Sequence, residues 1–258
     1  MRLPPALKRL TTPIAGSIPL PILGGENKGC RWSLASWGSG YGTGRREQAQ
    51  MRMFAALIRP GDVVWDVGAH QGYVTLLAAR EVGAHGRVHA FEPSERSRRL
   101  LQRHLRWNQV SNVTVEPYAI GSADGTARFG GGETSKQHRL GAGEETVEVR
   151  TMSTLLSSGE RRRPNFLKVD VEGAEGQLLE TGREVLPPAA RMVIAVHSRA
   201  AYEQCAAVLR GAGFRIYESS RLERRKAGRW HGDADMIAFG PAYADYDRDM
   251  ESIRSLSV

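Results

Sequence analysis

Cysteine is scarce in these 258 residues. Cys30 and Cys205 stand far apart without metal-type spacing, which excludes a disulfide-stapled scaffold and fits a reducing compartment. Nowhere does an apolar run approach about 18 residues, which excludes a membrane-spanning helix. No internal repeat is visible. The phosphate-binding signatures are missing as well: Gly68 and Gly72 are too far apart for GxGxxG, and no GKS or GKT follows, so dinucleotide and nucleoside-triphosphate readings lose their support. Acids are outnumbered, with 28 Asp and Glu against 36 Lys and Arg and a formal charge of +8. That balance attracts nucleic acid, anionic lipid or phosphorylated substrates without choosing among them.

What is present is ordinary globular usage, 41% hydrophobic and 25% charged, at a length that suits one large α/β domain. The N-terminus, MRLPPALKRLTTPIAGSIPLPILGG, starts basic with an apolar middle. Its prolines (Pro4, Pro5, Pro13, Pro19, Pro21) break the apolar stretch and no clean cleavage site follows, so export is not expected and the cytoplasm is. Residues 1–46 read as an arm ending in a flexible Gly-rich loop, Gly38 to Gly44, and residues 47–258 as the folded domain.

From Glu47 a helical period places Met51, Phe54, Ala55 and Ile58 on one face, and Pro60-Gly61 stops it. Strands and helices then alternate. Strands are expected at 62–68, 87–93, 113–120, 166–172, 191–197, 214–219 and 235–240. Segments 126–130 and 146–150 read as two arms of an antiparallel excursion. Ser94 is expected to cap a long helix whose Arg96, Arg98, Arg99, Arg103 and Arg106 form a solvated face. The alternation predicts a doubly wound, mostly parallel sheet, and the last two strands, with no helix between them, predict one antiparallel strand in the edge region.

In open α/β sheets, ligands bind beyond the carboxyl ends of the strands. There the first strand ends in Asp66-Val67-Gly68-Ala69-His70-Gln71-Gly72, a turn that lets a ligand approach the backbone. The second ends in Glu92-Pro93, where a carboxylate can accept hydrogen bonds from both hydroxyls of a ribose. The fourth carries Lys168, Asp170 and Glu172 on one face, three ionisable groups costly on a central strand unless they pair or serve a polar site.

The run from Pro60 to His197 resembles the FkbM-type S-adenosylmethionine-dependent methyltransferases. The resemblance rests on PGDVVWDVGAHQGYVTLLAA, GRVHAFEPS, NVTVEPYAIGSADG, TMSTLLSS and FLKVDVEGAEGQLLETG, and above all on DVGAHQGY and KVDVEGAE. GCRWSLASWGSGYGTGRRE is similar to the loop and Glu that precede the first helix in some members. The resemblance implies the class I methyltransferase (Rossmann-like) fold, with strand order 3-2-1-4-5-7-6. It implies S-adenosylmethionine as cofactor, held by Asp66, Gly68, Ala69, His70, Gly72, Glu92, Pro93 and Ser94, with Ala119 to Asp124 bordering the adenine and Asp170 beside the methyl-transfer centre. Two positions depart from the family pattern: His70 stands where Asn is expected, and Ala195-Val196-His197 replaces Glu-x-His.

The cofactor's sulfonium makes its methyl carbon electrophilic, so the protein has to align an acceptor and remove its proton. Asp170, Glu172 and His197 are the candidate bases, with His197 best matched to neutral pH and Lys168 neutralising the acids or orienting the acceptor. Two carboxylates and an imidazole also suit a divalent cation, a less favoured reading. The resemblance implies a small-molecule acceptor, giving O-methylation of a sugar, polyketide or other secondary metabolite. Loops 24–46, 130–145 and 220–233 would choose it, with Trp32, Trp37 and Tyr41 as a lid and Arg221, Arg224 and Arg225 available to an anionic acceptor. The alternatives are an RNA methyltransferase, for which no added RNA-binding module is visible, and a cofactor-binding module without catalysis.

Overall fold

The apolar runs of the chain assemble side by side into one sheet. The computed structural model describes residues 14–38, 40–130, 139–159, 161–171, 173–218 and 234–256. Glu172, residues 131–138 and the arginines at 221–229 lie outside the described residues. The sheet strands are β1 (Val63–Val67), β2 (Arg87–Phe91), β3 (Val113–Glu116), β4 (Phe166–Val169), β5 (Arg191–Val196), β6 (Arg215–Glu218) and β7 (Ala234–Phe239). Their order is β6-β7-β5-β4-β1-β2-β3, which is 3-2-1-4-5-7-6 read from the other edge. Every pairing from β5 through β3 is parallel, while β7 runs antiparallel to both β5 and β6, one place in from the edge.

Helices cover both faces, so the central strands are buried on both sides and mostly apolar, with Asp66, Lys168 and Arg191 as buried charged exceptions. The helices are α1 (Gln48–Leu57), α2 (Tyr73–Val82), α3 (Glu95–Trp107), α4 (Met152–Ser157), α5 (Glu175–Gly182), α6 (Arg199–Gly211) and α7 (Tyr246–Leu256). Phe54, Leu57, Leu77, Leu101 and Ile253 of α1, α2, α3 and α7 pack with Val64, Val88, Val193 and Ile237 on one face. Leu155, Leu178, Leu179 and Leu209 of α4, α5 and α6 pack with Trp65, Val67, Leu167 and Ile194 on the other. No helix among the described residues is long and apolar enough to cross a membrane.

Three local expectations are corrected. The strand expected over 113–120 splits at Pro117, which has no N–H to continue the ladder. Val113–Glu116 stays in the main sheet, and Ala119–Ile120 joins a small sheet with Gly125–Gly130, Arg139–Leu140 and Glu145–Arg150. There the 125–130 and 145–150 arms do pair antiparallel. Ser94 holds the N-cap position of α3, but its hydroxyl accepts nothing from the helix; its backbone N–H is used instead, donating to Glu92 Oε1 at 2.8 Å. The Gly38 to Gly44 loop is pinned, not free: Leu23 N–H donates to Gly42 O at 2.8 Å, and a Cβ on Gly42 would meet the Trp37 ring at 2.0 Å.

The arm is fastened to α3. Pro19–Pro21 and Arg31–Ser33 form a two-stranded ribbon, and Trp32 stacks on His104 with ring centres 3.7 Å apart. Ser33 N–H donates to His104 Nε2 at 3.0 Å, and His104 Nδ1 lies 2.8 Å from Gln71 O. Burial lowers the His104 pKa to about 4, so the ring is neutral, with its proton on Nδ1 as the two bonds require.

Candidate active site

A cavity of about 220 Å³ opens beyond the carboxyl ends of β1, β2, β4 and β5. Gly68, Ala69, His70 and Gln71 of the β1 turn form its floor, and Glu92 and Pro93 flank it. Ala119, Ile120, Phe129 and Leu140 supply an apolar side from the small sheet, and Lys168, Asp170, Val171 and His197 form the opposite side.

Glu92 is 5% exposed, and its two oxygens accept backbone N–H bonds from His70 at 2.7 Å and Ser94 at 2.8 Å. Burial raises its pKa to about 7 against those bonds and the charge of Lys168. A carboxyl so placed at the cavity edge fits a diol, each oxygen keeping a further lone pair. His70 itself has φ +50, a left-handed conformation that His tolerates better than most residues, as Asn does.

Asp66, Gly72 and Ser94 do not line the cavity. Asp66 is fully buried beneath the turn, accepting the Thr75 hydroxyl at 2.6 Å and lying 3.1 Å from Lys168 Nζ. Gly68 (φ +81) lacks a side chain because a Cβ would sit 2.0 Å from Asp170 O, so the tips of β1 and β4 touch through it. Gly72 (φ +88) makes room in the same way for Leu101. Both glycines therefore serve protein packing first. Asp124 also lies away from the cavity, accepting from Thr151 N at 2.6 Å and from the Thr154 hydroxyl at the start of α4.

Lys168 is the hub of the charged side. Its Nζ donates to Gly68 O at 2.7 Å and lies 3.6 Å from Asp170 Oδ2. Burial opposes its charge, yet Asp66 and Asp170 hold its pKa above the ordinary lysine value. Asp170 follows the last residue of β4 with a side chain 39% exposed. Against the burial penalty, Lys168 and His197 draw its pKa down to about 2, so it is anionic at neutral pH. His197 Nε2 lies 3.3 Å from Asp170 Oδ1 and 3.6 Å from Glu175 Oε1.

Several residues around the cavity were missed by sequence reasoning. Glu175 is fully buried, accepts Gly173 N–H at 2.9 Å, and has its pKa raised by burial. As an acid in the first turn of α5 it reads as an ordinary favourable partner for the helix dipole. Of the aromatic lid expected from the sequence, Trp32 and Tyr41 line the cavity, whereas Trp37 does not, its indole N–H donating to Pro21 O at 3.2 Å. Arg46, Glu47 and Gln50, which sequence reasoning missed, line the cavity as well. Glu47 has φ +52 and pairs with Arg46 at 2.6 Å. Asp235 on β7 pairs in register with Ala195 and bonds Gln50 Nε2 at 2.7 Å, so a neighbouring strand brings a carboxylate to the position left apolar by Ala195. Among the described residues no group of three or more His, Cys, Asp and Glu has an arrangement able to hold a metal ion.

A cavity at the strand tips of a sheet in this order, with an acid at the end of β2, is the arrangement of the class I methyltransferase fold. Solved structures share the fold. One is a precorrin-6y C5,15-methyltransferase from Geobacter metallireducens (TM-score 0.50, 14% identity, covering 76% of this chain and 89% of that one). Another is a proposed rRNA-methylase from Clostridium thermocellum (TM-score 0.51, 12% identity, covering 76% and 95%). The FkbM methyltransferase domain matches residues 66–227, and the chain belongs to that family. The hexuronic acid methyltransferase AglP of Haloferax volcanii is 28% identical over 159 residues, 60% of this chain and 64% of AglP. The matched region thus spans less than two thirds of that relative.

Proposed function

We propose that this methyltransferase acts on a hydroxyl of a small molecule, a sugar foremost, to form a methyl ether. The observation that carries the reading is the set of Asp170, His197 and Lys168 at the cavity wall, across from Glu92. The hexuronic acid named for the 28%-identical relative supports a saccharide acceptor.

Bound S-adenosylmethionine supplies an electrophilic methyl group. Glu92 would hold the ribose diol as hydrogen-bond acceptor, and the Gly68–Gln71 turn, with the apolar Ala119 and Ile120, would hold the nucleoside. His197 takes the proton of the acceptor hydroxyl. Asp170, kept anionic by Lys168, faces the resulting imidazolium and stabilises it. Lys168 also anchors the β1 turn through Gly68 O, so cofactor floor and proton acceptor share one ionic support. Glu172, adjacent in sequence, is the further base candidate on this segment.

The test is transfer of labelled methyl from S-adenosylmethionine to hexoses, hexuronic acids and fractionated extract, followed by mild alkali. Label on a hexose or hexuronic acid that survives alkali is an ether, as expected. Label released as methanol identifies a carboxylate acceptor and a methyl ester, which overturns the hydroxyl reading.

A further inference from the structure

We infer that the N-terminal arm and α3 form a docking face for an anionic lipid surface. The large hydrophobic side chains exposed among the described residues, Ile14 (68%), Ile18 (40%), Leu23 (59%) and Leu34 (42%), all belong to one segment of the arm. Ile18 and Leu34 are backbone neighbours, Leu34 N–H donating to Ile18 O at 2.9 Å, and Ile14 lies one turn before Ile18, a turn closed by Ser17 N–H donating to Ile14 O at 2.9 Å. An exposed apolar cluster on an otherwise well-buried protein marks an interaction surface.

Charge says which kind. Arg103 Nη1 donates to Gly16 O at 2.6 Å, setting the α3 arginines beside the cluster. Arg96, Arg99, Arg103 and Arg106 recur at three- and four-residue spacing and so share one stripe of the helix. Residues 14–46 hold four Lys and Arg against Glu26 alone, and α3 holds five Arg against Glu95 alone. These two segments therefore carry a net +7 of the formal +8 of the whole chain. Apolar side chains set beside a mostly basic stripe, in which Glu95 pairs with Arg99 alone, match the acyl boundary and headgroups of an anionic leaflet. A nucleic-acid face would need the arginines and leave exposed Ile and Leu without purpose. Trp32, two residues before Leu34, lines the cavity, so a lipid surface on this face lies beside the cavity wall.

The test is co-sedimentation of the full chain with phosphatidylcholine vesicles, with and without about one third phosphatidylglycerol. Binding is expected only with the anionic lipid and is expected to weaken with salt. The triple variant Ile14→Asp, Ile18→Asp, Leu34→Asp should lose binding even at low salt while keeping its melting temperature and methyl transfer to a soluble acceptor. Changing Arg96, Arg99 and Arg106 to Gln should weaken binding about fivefold per charge removed. The inference is overturned if anionic vesicles are not bound at low salt, or if the apolar triple variant binds as the parent does. It is also overturned if light scattering shows a dimer that the triple variant dissolves, or if mixed RNA binds and only the arginine variant loses it.

Discussion

Two buried ionic clusters sit at opposite ends of the same sheet. At the amino ends, Arg191 Nη2 lies 2.7 and 2.6 Å from the two oxygens of Asp62, and Arg191 Nη1 donates to Leu57 O at 2.6 Å. Asp62 also accepts Arg59 N–H at 2.7 Å, so this cluster ties α1 and its following turn to β5 and faces no cavity. At the carboxyl ends, Lys168 joins a buried Asp66 to an Asp170 whose side chain is 39% exposed. Both clusters neutralise aspartate with a buried basic side chain. What differs is whether the last carboxylate finishes its bonding inside the protein or keeps lone pairs for something else, and only the second arrangement can serve a ligand.

That contrast can be broken in order of expected effect. Asp170→Ala should cost roughly 10²- to 10⁴-fold in turnover with little change in melting temperature, the size of a lost proton-handling group. A folded, fully active variant removes Asp170 from the mechanism. Arg191→Ala should do the opposite, lowering stability by about 3–5 kcal/mol in denaturant titration because Asp62 is left buried and uncompensated, while activity per folded molecule holds. Loss of activity without loss of stability would erase the distinction between the two ends.

Glu92→Gln should weaken cofactor binding by about ten- to a hundredfold, roughly 1.4–2.8 kcal/mol in calorimetric titration, and maximal rate much less. Its pH dependence sharpens the point. Folded Glu92 keeps its proton up to about pH 7 against an ordinary 4.5, so its ionisation costs the free protein stability as pH rises between those values. A diol donates to the carboxylate, so cofactor affinity should rise with pH and level off above about 7, where folded Glu92 is ionised, and this rise should be absent in Glu92→Gln. An unchanged pH slope in the variant would show that another group governs binding. The smallest effect is expected for Glu175→Gln, a severalfold fall in kcat with a shifted pH–rate profile and unaltered cofactor affinity. A matching loss of affinity would make Glu175 part of the cofactor floor instead.

Much of the fold was legible because each strand carries its own signal. β1, β4 and β5 are mostly apolar runs with a single charged residue each, and Gly68, Glu92 and Asp170 follow strand ends that the sequence marks locally. Pro117 was legible too, but the length of the apolar stretch over 113–120 outweighed it. The cavity wall was harder. Gln50 meets Asp235 across 185 residues, and Ser33 meets His104 across 71, contacts that no local pattern encodes. The Gly-rich loop read as flexible because glycine permits both freedom and close approach, and only the facing Trp37 ring and Gly24 backbone show that here it serves close approach.

The sequence by itself determined the order of strands and helices, the family, and which strand tips carry acids, because period and local residue chemistry are properties of short segments. Tertiary structure alone decided that Asp66 is a buried support and not a cavity wall, that Glu175 and Asp235 join the site, and that Trp32 and Tyr41 of the expected lid reach the cavity while Trp37 does not. Those outcomes depend on where a side chain finds its counter-charge once distant segments meet, and burial and charge pairing are settled only in three dimensions.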